Sequence, residues 1–80
     1  MRVFRIKARG ANGKVQNQRE YVGIVKLRMY GHDTWRRYDR YATAELYQVN
    51  DAGKWILISD PEEVRKLINP YASDETKNYD

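Results

Sequence analysis

The chain has 80 residues, no cysteine and a formal net charge of +4. Its length allows one domain with a modest core, and the lack of cysteine excludes both a disulfide framework and a cysteine-ligated zinc site. Residues 1–7 alternate charged with apolar side chains, and no apolar run approaches the roughly 18 residues of a membrane span. We therefore expect a cytoplasmic protein without a signal peptide.

Charge is distributed unevenly along the chain. Residues 1–40 hold eleven Lys or Arg against three Asp or Glu, whereas residues 41–80 hold four against eight. A basic half of this kind either faces an acidic partner or attracts the acidic half of the same molecule. Both explanations are open at the level of sequence.

The first predicted element is a strand over residues 2–8. Phe4, Ile6 and Ala8 alternate with Arg5, Lys7 and Arg9, which is the period of a strand with one buried face. The segment 10–13 contains two glycines and an asparagine, which is typical of a turn.

Residues 15–30 are predicted to form a second strand, with a β-bulge near Gly23 where the alternation changes phase. In a hairpin with the first strand, Lys26 and Arg28 would share a face with the basic residues of strand one. Val25, Leu27 and Met29 would then be buried.

The segment 35–49 is ambiguous. Apolar residues recur at helical spacing, whereas Tyr41, Thr43 and Tyr47 favour a strand. We predict an irregular or helical turn at 34–40, followed by a strand at 41–49.

The C-terminal third contains clearer signals. Residues 50–53 suit a hairpin loop, and residues 55–58 are apolar on both faces, as in a central strand covered on both sides. Asp60 and Pro61 favour the start of a helix that ends at residues 69–70. The predicted fold is α+β, with a three- or four-stranded, mainly antiparallel sheet and a short C-terminal helix on one face. The domain spans 1–70, and 71–80 is predicted to be a flexible polar tail.

Two basic segments are candidate binding surfaces. One is the predicted sheet face, and the other is the stretch 35–41, which interleaves arginines with aromatic residues. Arginine binds phosphate oxygens in pairs, and exposed aromatic rings stack on bases, although the same residue types form protein hot spots or purely structural contacts. The candidate binding residues are Arg5, Lys7, Arg9, Lys26, Arg28, Arg36, Arg37, Tyr38 and Arg40.

Catalysis is not expected. His32 is the only histidine, and a histidine needs a nucleophile, metal or second acid–base group to act. A small ribonuclease built on Glu20, His32 and Arg37 is a remote alternative. We predict no metal, no cofactor and no small-molecule substrate.

One partial resemblance can be stated. The segments Met1–Ile6, Gln18–Glu20, Asp33–Trp35 with the following arginines, and Gly53-Lys54 with its apolar strand occur in an order similar to that in the small linker domains of phycobilisomes. Those domains are basic, non-enzymatic proteins that sit inside rings of pigment proteins. The resemblance covers about residues 1–58 and omits the C-terminal helix, and it implies a protein-binding role. We assign no family from it.

The sequence thus favours a non-enzymatic nucleic-acid-binding accessory domain. The alternative is a protein-binding adaptor, linker or inhibitor, for example a phage-type inhibitor of a host system, that binds an acidic protein surface. We expect a monomer or a weak homodimer.

Overall fold

The computed structural model describes residues 2–68, and its fold is α+β, as predicted. Four antiparallel strands form one sheet in the order β2-β1-β3-β4. The strands are β1 (Val3–Arg9), β2 (Val15–Val22), β3 (Thr43–Val49) and β4 (Trp55–Ile58). The predicted end of the last helix at 69–70 and the predicted tail at 71–80 lie outside the described residues.

Helical backbone follows β2 and runs from residue 24 to residue 41. It consists of α1 (Ile24–Lys26), a π-helical segment (Leu27–Gly31) and α2 (His32–Tyr41). The last helix is α3 (Pro61–Ile68). The helices pack on one face of the sheet and leave the other face uncovered by any described element.

The predicted strand over residues 24–30 is wrong. Gly23 has φ 91° and ψ 150°, a conformation that is essentially restricted to glycine, and it ends β2 and precedes α1. Beyond it, apolar residues every three or four positions face the sheet rather than every second one. Leu27 is buried as predicted, but Val25 and Met29 are 64% and 61% exposed.

The core lies between the sheet and the helices. Phe4, Ile6, Leu27 and Leu46 are fully buried, and Ile6 lies opposite Leu46 in the β1–β3 register. Gly31 allows the π-helical segment to approach β1 closely, because a Cβ there would lie 2.8 Å from Leu27 Cδ1 and 3.3 Å from Ile6 Cδ1. Burial of these apolar side chains is the main stabilising contribution to the fold.

A buried polar contact joins the helical segment to β2. The Tyr21 hydroxyl donates a hydrogen bond to Thr34 Oγ1, and the Thr34 hydroxyl donates to the Tyr30 carbonyl oxygen at 3.3 Å. Tyr21 and Thr34 are only 6% and 3% exposed. Both hydroxyls are satisfied inside the protein, as buried polar groups require.

The last part of the described chain, from residue 34 onward, agrees in part with the predictions made from the sequence. The strand predicted at 41–49 begins two residues later, at Thr43, and the predicted turn at 34–40 belongs to the longer helical segment. The Asp60 carboxylate accepts the Glu62 backbone N–H at 3.1 Å and so caps α3. The prediction that 55–58 is a central, doubly covered strand is wrong, since β4 is an edge strand with Ile56 and Leu57 exposed.

Candidate nucleic-acid interface

The nine candidate binding residues do not form one surface. Arg5, Lys7 and Arg9 lie on β1 and point to the uncovered face of the sheet. The other six lie on the helical segment of residues 24–41, which packs against the opposite face. The shared surface predicted for Lys26 and Arg28 with the β1 residues is therefore wrong, because those two residues are helical.

On the uncovered sheet face, two of the three cations are already paired with carboxylates. Arg5 forms a 2.7 Å ion pair with Glu20, its cross-strand neighbour on β2, and its guanidinium lies 4.0 Å from the Trp55 ring centroid. Arg9 forms a 3.0 Å ion pair with Glu45 on β3. These ion pairs neutralise much of the positive charge that was predicted to bind a ligand.

Aromatic rings complete this packing on the sheet face. The Lys7 ammonium lies 4.5 Å from the Tyr47 ring centroid, a cation–π distance. The Tyr47 hydroxyl donates to Glu45 and accepts a hydrogen bond from Arg9 at 3.3 Å. The hydrogen bonds from Arg9 to Tyr47 and to Glu45, together with the Glu45 charge, raise the pKa of the Arg9 guanidinium. On the sheet face, the three cations thus interact mainly with carboxylates and aromatic rings of the same sheet.

The helical segment presents a different arrangement. Arg36, Arg37 and Arg40 are exposed and follow the spacing of one helix face, which lies opposite the buried residues Thr34 and Tyr38. Within residues 2–68, no carboxylate lies within 4.0 Å of these three guanidinium groups. We call this surface the arginine face and define it as Arg36, Arg37 and Arg40.

Like charges on the arginine face repel one another. Arg36 and Arg40 are four residues apart on α2, a spacing at which like charges destabilise a helix by about 0.2–0.5 kcal/mol. Asp33 lies on the same side of the helix but forms no ion pair with them at the 4.0 Å limit. An anion bound across these arginines would relieve the repulsion.

Tyr38 cannot stack on a base, because it is only 6% exposed and belongs to the core. Burial raises the pKa of its phenol, since the phenolate form would lose its hydration. Tyr41, the last residue of α2, is 75% exposed beside Arg40. The stacking role predicted for Tyr38 does not fit its burial, and the helical period that buries Tyr38 is the signal that turns Tyr41 outward.

Lys26 and Arg28 are exposed on the N-terminal half of the helical segment. The Lys26 ammonium lies 5.5 Å from the Tyr30 ring centroid. Val25, Met29 and Tyr30 beside them are at least half exposed. The N-terminal half of the helical surface therefore mixes exposed apolar side chains with cations, whereas the C-terminal half carries the arginine face.

The three residues of the alternative ribonuclease hypothesis do not lie together in the fold. Glu20 is paired with Arg5 on the uncovered sheet face, and Arg37 belongs to the arginine face. His32 is half-buried and lines a cavity of about 580 Å³ between α2, the sheet and α3. The cavity wall is mostly apolar and includes Trp35, Ile58 and Val64. Glu20, His32 and Arg37 thus lie on three different surfaces.

Two further features of the described chain bear on its chemistry. Residues 2–68 contain no group of three or more His, Asp or Glu side chains placed to hold a metal ion. Over the same residues, no helix has the length and apolar character needed to cross a membrane.

Comparison with known proteins provides no assignment. No protein-family model, no curated protein and no solved structure matches the chain.

Proposed function

We propose that this protein is a non-enzymatic binding module that holds nucleic acid on the arginine face of α2. The observation that carries the proposal is that Arg36, Arg37 and Arg40 share one exposed helix face without a carboxylate partner among the described residues. In contrast, Arg5 and Arg9 on the sheet already have ion-pair partners.

Phosphate is the ligand whose chemistry best fits this surface. Each guanidinium presents a planar set of donors that matches phosphate oxygens. Neutralising phosphates also releases condensed counterions, which supplies binding free energy without any base-specific contact. The repulsion between Arg36 and Arg40 would fall when phosphates lie between them.

Tyr41 would extend the site beyond the phosphates. Its ring is the most exposed of the large hydrophobic side chains on the helical segment, and it follows Arg40 directly. Stacking of a base on such a ring contributes about 1–3 kcal/mol in single-stranded complexes. We therefore expect a preference for single-stranded over double-stranded nucleic acid.

Fluorescence anisotropy with labelled single- and double-stranded DNA and RNA at several salt concentrations tests the proposal. The R36Q/R40Q variant removes two charges from the arginine face. For duplex DNA, the slope of log K against log salt should fall by about 1.8 if both residues contact phosphates.

The matched control is K14Q/K66Q. Both lysines are exposed, Lys14 after the turn at 10–13 and Lys66 on α3, so the variant loses the same net charge outside α2. Its salt slope should stay close to that of the unmodified protein. Equal losses in the two variants would show that only net charge matters and would refute a site at the arginine face.

A second candidate function is supported by the exposed apolar side chains in the N-terminal half of the same helical surface. Val25, Met29 and Tyr30 are 64%, 61% and 50% exposed, and Met, aromatic residues and Arg are enriched at protein interfaces. On this basis we propose an adaptor or inhibitor that binds an acidic protein as the alternative. Absence of nucleic-acid binding at low salt would favour it, and M29A would then weaken capture of the protein partner more than R36Q does.

A further inference from the structure

β4 is an edge strand whose residues are typical of the middle of a sheet. Its four residues, Trp55, Ile56, Leu57 and Ile58, are apolar on both faces, and none is charged or proline. Edge strands usually carry charges, proline or bulges that prevent pairing with another chain. The opposite edge, β2, follows that rule, since it contains the charged residues Arg19 and Glu20.

The backbone groups that point away from the sheet can be identified from the β3–β4 register. Asn50 N–H donates to the Lys54 carbonyl oxygen at 2.8 Å, and the same register pairs Gln48 with Ile56. Hydrogen-bonded and non-bonded pairs alternate in an antiparallel ladder. Trp55 and Leu57 are therefore the β4 residues whose N–H and C=O groups face outward, with no partner strand in the described sheet.

The two ends of β4 carry opposite charges. Lys54 precedes the strand, and Asp60 lies two residues after it. Within residues 2–68 no carboxylate lies within 4.0 Å of the Lys54 ammonium. One carboxylate oxygen of Asp60 accepts the Glu62 N–H, which leaves the second oxygen for another donor.

We propose that two copies of the chain pair through β4 in an antiparallel arrangement about a two-fold axis. With Leu57 on the axis, each Leu57 lies opposite its own copy, and Trp55 lies opposite Ser59 of the second copy. Residues 55, 57 and 59 share the outward parity, so this register forms ladder hydrogen bonds. It also places Lys54 of each copy opposite Asp60 of the other, which gives two symmetric ion pairs.

A second copy fits this edge better than an arbitrary peptide. The strand has a basic residue at one end and an acidic residue at the other, so it is complementary to itself when reversed, as a two-fold interface requires. Pairing would also bury Ile56 and Leu57, which are 48% and 45% exposed. β4 would become internal in a continuous eight-stranded sheet, in keeping with its residues.

The proposed interface is small. A pairing of about five residues per strand lies at the low end of specific interface areas, where complexes are weak and transient. We therefore expect a dimer that dissociates in the micromolar range. The proposal does not depend on nucleic-acid binding, because β4 and the arginine face belong to different elements.

A single introduced cysteine tests the two-fold axis directly, because the chain contains no other cysteine. In a hydrogen-bonded antiparallel pair the Cα atoms are about 5.5 Å apart, which is within disulfide range. Under mild oxidation L57C should form a covalent dimer at least ten-fold faster than M29C, a control on the helical segment whose side chain is the more exposed of the two.

Sedimentation of the unmodified protein across the micromolar range provides the second measurement. K54E replaces each ion pair with repulsion and should raise the dimer dissociation constant about ten-fold. D60N should raise it less while keeping the α3 cap, because asparagine caps helices as well as aspartate does. A monomer at every concentration, with L57C oxidising no faster than M29C, would overturn the proposal and leave β4 as an edge for a different chain.

Discussion

The buried hydrogen bond between Tyr21 and Thr34 allows a quantitative test of how the helical segment packs on the sheet. Removing the Tyr21 hydroxyl in Y21F leaves the Thr34 hydroxyl still bonded to the Tyr30 carbonyl. The variant should therefore lose about 1 kcal/mol of unfolding free energy, the net value of one hydrogen bond.

T34V should cost more, because it leaves the Tyr21 hydroxyl buried without an acceptor. Tyr21 is only 6% exposed, so water cannot easily replace the lost partner. A buried unsatisfied hydroxyl costs about 1–3 kcal/mol, and we expect about 2 kcal/mol for T34V.

The double variant tests whether the losses of unfolding free energy in Y21F and T34V are additive. In Y21F/T34V neither side chain has an orphaned group, so the loss should be no more than about 2 kcal/mol rather than the additive 3 kcal/mol. The interaction free energy of the cycle should thus be about 1 kcal/mol.

Equilibrium urea unfolding of the four proteins measures the cycle. T34S, which keeps the hydroxyl and removes only a methyl group, is the control, and Y21F should cost the same about 1 kcal/mol in the T34S background as in the unmodified protein. Additivity of Y21F and T34V within about 0.3–0.5 kcal/mol would mean that the two hydroxyls do not interact, and the packing of α2 against β2 described here would be wrong.

Two further predictions concern pH and backbone conformation. Burial raises the pKa of Tyr38 in the native state, so the unfolded chain loses this proton first, and unfolding free energy should fall as pH rises from about 10 towards the native pKa. Urea unfolding between pH 9 and 11 should show a smaller alkaline loss for Y38F than for Y41F, and equal losses would contradict the burial argument. G23A should lower the unfolding free energy by about 1–3 kcal/mol, because φ 91° and ψ 150° are unfavourable for alanine although its Cβ would meet no atom within 4 Å. Thermal unfolding measures this loss, and an unchanged melting temperature for G23A would refute it.

Local signals predicted several elements correctly. β1 follows from the alternation of Phe4 and Ile6 with charged residues, and α3 follows from the Asp60 cap. The loop at 50–53 is also where it was expected, between β3 and β4. In each case the deciding interactions are between residues close together in the sequence, so a single chain segment contains the information.

The secondary structure of residues 24–30 could not be predicted correctly, because the residues from Val25 to Thr34 fit both a strand and a helix period. Val25, Leu27 and Met29 alternate as in a strand, whereas Leu27, Gly31 and Thr34 recur as in a helix. All three of the second set are buried, but Leu27 is the only buried member of the first. The helix forms because Gly31 fits against Ile6 on β1 and because Thr34 reaches Tyr21 on β2. These are contacts between distant parts of the chain, and no local pattern encodes them.

At the candidate site, too, the sequence predicts some properties and the tertiary structure decides others. Composition alone determined that the first half of the chain is basic and rich in arginine. Only the tertiary structure decided which cations are neutralised, because strand register places Glu20 opposite Arg5 and brings Glu45 within 3.0 Å of Arg9, whereas helix geometry turns Arg36 and Arg40 towards solvent. The sequence determines how much charge the chain carries. How much of that charge remains unpaired on a surface depends on which side chains the fold brings within a few ångströms of one another.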